Sequence, residues 1–422
     1  MKLQRLALML IAAGTTVLAA MSSFAADSVK IAVIDPLSGP FANVGEAMVR
    51  YTQLAADAIN ARGGVLGGTR IEIIALDSKS SPQEAQLALK SAIDQGVRYI
   101  NQSNGSNVAG ALVDAVDKHN ERNPDQVVLY LNTGAVDPAL TNDRCSFWHF
   151  RFDADADMKM AALTDAIAKN TNSRKVYLIN QDYAFGQAVA RAAKEMLPKK
   201  RPDIQIVGDE LHPLGKIKDF SPYIAKIKAS GADSVITGNW GNDMSLLVKA
   251  GREAGLDVNW YTYYAGGLGT PTAMGEAAAG KVKIIAEYHS NVENNKAAKW
   301  DADYRKQAPK GNPDFYFLRG KIMWDMFAKA IVQAKSIDPK AVALALEGMK
   351  YEAELGEVEM RKSDHQLIQP LYVISIVKSA AKGGPKEAKI DMEGSGLAPI
   401  TNARLEAYTS ATPTSCQMKR PK

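Results

Sequence analysis

Cysteine is almost absent from this 422-residue chain, which contains only Cys145 and Cys416. The spacing of these two residues matches no zinc-binding pattern, and two cysteines are too few for a disulfide-rich scaffold. In an oxidising compartment they could form one bridge, or both could be free thiols, because a sequence does not give the distance between them. Both alternatives stay open at this point.

Long uncharged apolar runs are missing after the first 25 residues, which excludes a membrane-spanning helix there. The first 25 residues have a basic start with Lys2 and Arg5, a short apolar core over residues 6–18, and small residues before position 26. This pattern is typical of a cleavable signal peptide and predicts export, with cleavage after Ala25. Loss of the two cationic residues takes the formal net charge from +5 to +3, too small to indicate nucleic acid or a membrane surface as a partner.

Catalytic and metal-binding motifs are missing as well. The chain contains no P-loop, no GxSxG nucleophile motif, no HExxH zinc motif and no Cys/His cluster, and its five histidines are scattered. The acidic stretch 153–157 lacks the glycine and the later glutamate of a calcium-binding loop, so we expect a solvated segment beside a hinge. These absences favour a binding protein without cofactor or metal over an enzyme.

What the sequence does contain is a regular alternation of apolar strands and amphipathic helices. The predicted strands cover residues 29–34, 71–76, 97–100 and 127–131, and then 175–179, 204–207, 232–237, 259–264, 282–286 and 371–377. Near-continuous apolar runs of this kind are typical of buried parallel strands. The alternation therefore predicts an α/β protein with two doubly wound parallel-sheet lobes, joined by several chain crossings that form a hinge.

The order of these elements divides the chain into two lobes and a tail. We predict an N-terminal lobe from residues 26–150 and 285–365, and a C-terminal lobe from residues 151–284 and 366–380. Residues 381–422 are weakly periodic and are predicted to form an extended tail. About 400 residues after cleavage exceed one ordinary core, which supports the division into lobes.

Polar turns follow several of the predicted strands. The turn over residues 101–107 precedes a helix, and a helix N-terminus carries partial positive charge that favours anions. Aromatic residues accompany similar turns over residues 180–185, 239–240 and 261–264. Because ligands bind beyond the carboxyl ends of parallel strands, these segments predict a mostly apolar pocket with a few polar groups. An ordinary helix cap at Ser106 and core packing of the aromatics are the alternatives.

Four segments have a distinctive sequence: IDPLSGP at residues 34–40, DAINARGG at 57–64, DYAFG at 182–186 and KDFS at 218–221. Together they resemble the leucine/isoleucine/valine-binding family, the periplasmic substrate-binding proteins of ABC importers with the type I periplasmic binding protein fold. The resemblance implies a protein of the periplasm that captures a small solute between its lobes, closes over it and delivers it to membrane permease subunits. We expect the protein to be a monomer. It implies no catalytic step.

The resemblance also implies which residues form the pocket. Ser106, with Ser103 as the alternative, stands where the amino-acid binders hold the ligand carboxylate, and Asn104 belongs to the same turn. Gly134, Ala135 and Val136 stand in place of a small-small-Thr run, so the backbone groups of Gly134 and Ala135 are expected to contact the carboxylate as well. The other expected contacts are Phe185 in place of a Tyr, Trp240 near another aromatic contact, Tyr263, and Phe317 on an apolar wall.

One departure from the family pattern bears on the ligand. The acidic residue that pairs with the ligand ammonium would fall at about Tyr263, and the stretch 261–264 contains no carboxylate. A buried ammonium without a carboxylate partner is unfavourable, so we expect an apolar or aromatic acid that lacks an α-amino group. Arg319 could add a bond to the carboxylate, but a solvated position on an exposed helix face is slightly favoured.

Three alternatives stay open for the function. The ligand could be a branched-chain or other amino acid, if Asp182 or Asp243 reached its ammonium. The chain could be a periplasmic hydrolase or lyase on the same scaffold, or a ligand sensor that docks on a membrane receptor kinase.

Overall fold

The computed structural model describes residues 28–267, 269–307, 318–409 and 411–421. The predicted signal peptide, residues 1–25, and the predicted ligand contact Phe317 lie outside the described residues. Within that part of the chain, no helix combines the length and the apolar composition that crossing a membrane requires.

The N-terminal lobe is built around a five-stranded parallel sheet. Its elements are β1 (Ser28–Asp35), α1 (Ala42–Ala61), β2 (Arg70–Asp77), α2 (Pro82–Asp94), β3 (Tyr99–Gln102), α3 (Ser106–Arg122), β4 (Leu129–Asn132) and β5 (His149–Arg151). The strands lie in the order β2-β1-β3-β4-β5. Central strand β1 is fully buried from Ile31 to Ile34, which accounts for its unbroken apolar sequence.

The C-terminal lobe repeats this arrangement. It contains α4 (Ala156–Lys169), β6 (Lys175–Gln181), α5 (Ala184–Lys200), β7 (Gln205–His212), α6 (Ser221–Ala229), β8 (Ser234–Thr237), α7 (Gly241–Glu253), β9 (Asn259–Thr262), α8 (Thr270–Met274) and β10 (Val282–Ala286). Its parallel strands lie in the order β7-β6-β8-β9-β10, the same topology as in the first lobe. The prediction of two doubly wound parallel-sheet lobes is confirmed.

The chain then returns to the N-terminal lobe and crosses once more. The returning helices are α9 (Ala298–Gln307), α10 (Leu318–Ala334) and α11 (Pro339–Leu346), followed by a small antiparallel sheet of β11 (Lys350–Ala353), β12 (Gly356–Met360) and β13 (Leu367–Ile368). β14 (Leu371–Lys378) then pairs antiparallel with β10, and β15 (Leu397–Leu405) pairs antiparallel with β14. Three crossings, at 152–155, 287–297 and 369–370, therefore join the lobes.

Side-chain amides hold two of these crossings together. Gln366 accepts a hydrogen bond from Arg151 Nε at 2.6 Å and donates one to the backbone oxygen of Asp153 at 2.8 Å. Gln369 donates to the backbone oxygen of Phe152 at 2.7 Å. The chain segments of the hinge are therefore hydrogen-bonded to one another and are not independent linkers.

The C-terminal segment differs from the predicted extended tail. Leu397–Leu405 form a strand because Leu397 and Ala398 are fully buried, an apolar signal too short to appear as periodicity. The described residues 411–421 then run back to the N-terminal lobe, where Cys416 forms a disulfide with Cys145. Thr414 also donates to the backbone oxygen of Thr141 at 2.7 Å. The tail is therefore a fourth connection between the lobes.

Candidate ligand-binding cleft

A cleft with an empty volume of about 840 Å³ lies between the carboxyl ends of the two sheets, and part of it is open to solvent. The strand order reverses between β1 and β3 in one lobe and between β6 and β8 in the other, which is where open α/β sheets bind ligands. Of the predicted contacts, those that line the cleft are Asn104, Ser106, Gly134, Val136, Phe185, Trp240 and Tyr263. Ala135 is not among the lining residues.

The turn after β3 is held in place by Asp35, the last residue of β1. Oδ1 of Asp35 accepts the backbone N–H of Asn104 at 2.9 Å, its side-chain amide at 3.0 Å, and the backbone N–H of Ser103 at 3.3 Å. Burial raises the pKa of Asp35 to about 7, although these hydrogen bonds act in the opposite direction. Because β1 and β3 are neighbours at the reversal point, the carboxylate of one strand organises the turn of the other.

Ser106 is the first residue of α3 rather than its cap. Gly105 occupies the cap position with φ of 91°, a conformation that glycine adopts without strain. The Ser106 hydroxyl accepts the backbone N–H of Asp137 at 3.2 Å, which leaves its proton for an acceptor in the cleft. The first N–H groups of a helix have no partner within the helix, so this corner of the cleft suits a carboxylate.

The variant Ser106→Ala is expected to weaken the binding of a carboxylate ligand by about 1–3 kcal/mol, because a buried hydrogen bond to a charged group is lost. Isothermal titration with the acid that responds in the ligand panel described below measures the effect. Ser103→Ala is the matched control, since the Ser103 hydroxyl is engaged with Thr133 at 2.5 Å. If only the Ser103 variant weakens binding, the carboxylate lies at Ser103 instead.

The turn after β4 does not offer the backbone donors that were expected of it. The N–H groups of Gly134 and Ala135 both donate to Oδ1 of Asn132, at 3.0 and 2.8 Å. Gly134 also approaches the backbone of Ser103 so closely that a Cβ atom would lie 2.9 Å from its oxygen. In this conformation the turn shapes the cleft wall, and the donors at α3 are the ones available to an anion.

Aromatic rings form the wall of the C-terminal lobe. Phe185 packs edge-to-face against Tyr263, with ring centroids 5.5 Å apart. The Tyr263 hydroxyl donates to the backbone oxygen of Ala156 at 2.9 Å, so this side chain presents an apolar face. The indole N–H of Trp240 donates to the hydroxyl of Tyr183 at 2.7 Å. Tyr183 lies in the predicted turn 180–185 and also lines the cleft, although the sequence did not single it out.

Two cations and two carboxylates meet at the floor of the cleft. Nζ of Lys159 lies 2.7 Å from Oδ2 of Asp153, and Nη1 of Arg319 lies 2.7 Å from Oε1 of Glu287. Nε of Arg319 is also 3.3 Å from Oδ2 of Asp153 and donates to the backbone oxygen of Thr133 at 2.5 Å. All four charged side chains are at most 3% exposed, and their charges balance.

This cluster corrects two predictions. Arg319 is buried and paired rather than solvated, because α10 presents it to carboxylates from two hinge crossings. Asp153 and Asp155 are buried as well, so the stretch 153–157 is not a solvated segment. Asp155 caps α4 by accepting the backbone N–H of Met158 at 2.8 Å. The acidic stretch therefore neutralises buried cations and ends a hinge crossing.

Lys159 and Arg319 line the cleft, whereas Asp153 and Glu287 do not. Among the described lining residues, these two cations are the charged side chains. Burial lowers the pKa of Lys159, against the attraction of Asp153. A ligand on the cleft floor therefore meets positive groups first, with the compensating carboxylates behind them.

The two carboxylates that could have reached a ligand ammonium are occupied elsewhere. Asp243 is buried, and its Oδ2 accepts from Gln181 Nε2 and from the backbone N–H of Gly215, both at 2.8 Å. Asp182 is exposed and accepts from Gln187 Nε2 at 3.0 Å. Neither carboxylate is among the residues that line the cleft.

A family model described as "Periplasmic binding protein" matches residues 28–384 of this chain. The chain belongs to the periplasmic binding protein family. Members of this family are substrate-binding proteins of the periplasm rather than enzymes.

This periplasmic binding protein is 32% identical over 410 residues to Leu/Ile/Val-binding protein homolog 4 of Brucella abortus, and the match covers 96% of each chain. It is also similar to the closed crystal structure of a leucine-, isoleucine-, valine-, threonine- and alanine-binding protein of Brucella ovis. That comparison has a TM-score of 0.81 and 32% identity, and covers 94% of this chain and 100% of the other. A solute-binding protein of R. palustris in complex with 4-hydroxybenzoate shares the fold, with a TM-score of 0.73 and 21% identity, over 90% of this chain and 98% of that one.

The lobes of this periplasmic binding protein touch through Phe41, which lies at the start of α1. Its ring stacks on Trp240 of the other lobe, with centroids 4.3 Å apart. Gly215 and Gly241, with φ of 67° and 58°, leave room for the ring, since a Cβ atom on either would lie 2.8 Å from a ring carbon. Phe41 is buried by this contact, so the described conformation is closed at this point.

Sequence reasoning missed Lys159, Glu287 and Tyr183. Glu287 directly follows the predicted strand 282–286, the same strand-end signal that identified the other turns. Tyr183 lies inside a turn that was identified, and Lys159 follows the acidic stretch by two residues. The pairing of Lys159 and Arg319 with carboxylates from two crossings has no signal in the order of residues.

Proposed function

We propose that this periplasmic binding protein captures a small carboxylate-bearing solute, apolar or aromatic in the rest of its structure, and delivers it to the permease of an ABC importer. It acts as an exported monomer that closes its lobes over the ligand. Closure is driven by the ligand because the residues that line the cleft belong to both lobes, so only the closed state makes all contacts.

The proposal rests on the charge of the cleft lining. Among the described residues, the two charged side chains that line the cleft, Lys159 and Arg319, are cations, and the first turn of α3 adds the positive end of a helix. A ligand carboxylate is favoured by this field. A ligand ammonium would have to displace a cation before it reached Asp153 or Glu287, which disfavours an α-amino acid.

In this proposal the ligand contacts are Ser106 and Asn104 for the carboxylate, and Phe185, Trp240 and Tyr263 for the apolar part. Gly134 and Val136 line the opposite wall, and Ala135 belongs to the same turn without lining the cleft. Phe317 is also proposed as an apolar contact, and it lies outside the described residues.

An amino-acid ligand is the second candidate, because the Brucella relatives at 32% identity carry names of branched-chain amino-acid binders. Asp153 and Glu287 each have one buried carboxylate oxygen without a hydrogen-bond partner, and such an oxygen could accept an ammonium proton if Arg319 or Lys159 moved.

A thermal-shift panel on residues 26–422 distinguishes the two candidates. It pairs each amino acid with the same acid lacking the amino group: leucine with 4-methylpentanoate, and phenylalanine with 3-phenylpropanoate. Ligand at about 100 times its dissociation constant adds about 2.7 kcal/mol to the free energy of unfolding. We expect a response to an acid and none to its amino acid. A response confined to leucine or phenylalanine would contradict the proposal.

A further inference from the structure

The aromatic wall of the cleft carries hydrogen-bond donors that the protein itself does not use. The hydroxyl of Tyr183 accepts the indole N–H of Trp240, and since an indole nitrogen is a donor only, the Tyr183 proton takes no part in that bond. Among the described residues, the Tyr183 hydroxyl donates no hydrogen bond. Tyr183 is 9% exposed, so closure leaves the hydroxyl little access to bulk water.

A second hydroxyl and an ammonium lie on the same side of the cleft. Nζ of Lys159 lies 3.5 Å from the Tyr264 hydroxyl, 5.0 Å from the centroid of that ring and 2.7 Å from Asp153. The ammonium has three protons, and these two oxygens account for two of them. Burial raises the pKa of Tyr183 and of Tyr264, so both phenols keep their protons.

We propose that Tyr183, Tyr264 and Lys159 select a solute with a second, neutral oxygen function, a hydroxyl or a carbonyl, on the part of the molecule away from its carboxylate. This inference rests on the proposed function, because it places the carboxylate at Ser106 of the N-terminal lobe. The second oxygen then faces the wall of the C-terminal lobe, where Tyr183 and Tyr264 donate to it.

The charge balance of the cleft floor favours a neutral second group on the ligand over a second carboxylate. The lining cations and the first turn of α3 favour one ligand carboxylate, but Lys159 and Arg319 are each paired with Asp153 or Glu287, so a second ligand anion would bring a charge without a partner of its own into a buried site. A solute with no second oxygen leaves the Tyr183 proton unpaired in the closed cleft. Sites that hydrogen-bond a ligand oxygen reject analogues lacking it, whereas purely apolar pockets discriminate weakly.

Isothermal titration with substituted benzoates tests the inference. The probes are 3- and 4-hydroxybenzoate, 3- and 4-methylbenzoate, and terephthalate, so that size is similar and only the second group changes. For wild type we expect at least about tenfold tighter binding of a hydroxybenzoate than of the methylbenzoate with the same substitution pattern. In Tyr183→Phe this ratio should fall to about twofold or less, while the affinity for the methylbenzoate stays nearly constant.

A matched variant outside the cleft separates selection from a general disturbance of the C-terminal lobe. Tyr183→Phe leaves the indole N–H of Trp240 without its acceptor. Tyr261→Phe also removes a buried hydroxyl that accepts a hydrogen bond, from Asn170 Nδ2, but Tyr261 does not line the cleft, so this variant should retain the preference for hydroxybenzoate. If Tyr183→Phe does not fold, as judged by circular dichroism, Tyr264→Phe serves as the second variant and should reduce the same ratio.

The outcomes separate this inference from the proposed function. Equal binding of hydroxy- and methylbenzoates to wild type overturns the inference alone, and so does tightest binding of terephthalate. Binding of leucine together with no binding of any benzoate overturns the proposed function, and the inference falls with it. A preference that survives both Tyr183→Phe and Tyr264→Phe overturns the assignment to these side chains.

Discussion

Arg319→Leu is expected to lower the free energy of unfolding by about 3–5 kcal/mol, because it leaves buried carboxylates without their cation. Arg319 is the partner of Glu287 at 2.7 Å and the second partner of Asp153 at 3.3 Å, and all three side chains are almost fully buried. Urea denaturation followed by tryptophan fluorescence measures the change, since the chain contains five tryptophans.

Two further variants test whether the loss comes from the orphaned charge. In Glu287→Leu/Arg319→Leu the pair is removed as a whole, so most of the stability should return, while Lys159 and Asp153 still balance each other. Arg191→Leu removes an exposed arginine that pairs with Asp157 and Glu195 and should cost less than about 1 kcal/mol. An equal loss in the single and double Arg319 variants would refute the charge argument.

The double variant Cys145→Ser/Cys416→Ser is expected to lower the free energy of unfolding by about 2–5 kcal/mol, because the disulfide restricts the unfolded chain and closes a long loop. The two cysteines are 271 residues apart in sequence, and the bridge ties the tail to the N-terminal lobe. Urea denaturation with and without dithiothreitol measures the change.

The reductant provides an internal control for this prediction. Wild type under reducing conditions should match the double variant, and the double variant itself should not respond to dithiothreitol. Ion pairs of the tail, such as Arg420 with Glu347 at 2.6 Å, remain in the variant, so the loss belongs to the covalent link. Identical stability of wild type and variant under oxidising conditions would show that the bridge does not contribute.

The fold could be predicted because its signals are local. An apolar run such as residues 29–34 is buried on both faces of a parallel sheet, and most such runs are followed by a helix with apolar residues at helical spacing. Five of the described strands escaped prediction: β5, β11, β12, β13 and β15. They lack this signal, since β5 has three residues, β11 to β13 have two to five, and β15 contains Pro399 and exposed polar residues. Short or edge strands depend on partners that the sequence does not indicate.

The candidate site could be predicted in part, for the same reason. Turns that follow strands meet at one edge of each sheet, so the turns that contain Ser106 and Trp240 could be identified from their positions, and the family resemblance pointed to these two residues within them. The roles of individual atoms in the site could not be predicted from the sequence. Whether the N–H of Gly134 is available depends on Asn132, and whether Arg319 is solvated depends on carboxylates 32 and 166 residues away in the chain.

By itself, the sequence determined that this chain is a two-lobed α/β protein with a polar turn ahead of a helix and no acidic residue among residues 261–264. Periodicity, turn composition and missing motifs suffice for these conclusions because each concerns neighbours along the chain. Only the tertiary structure decided that Lys159 and Arg319 face the cleft with Asp153 and Glu287 behind them. Charges balance through space, and the four residues come together only where hinge crossings and helices from both lobes meet.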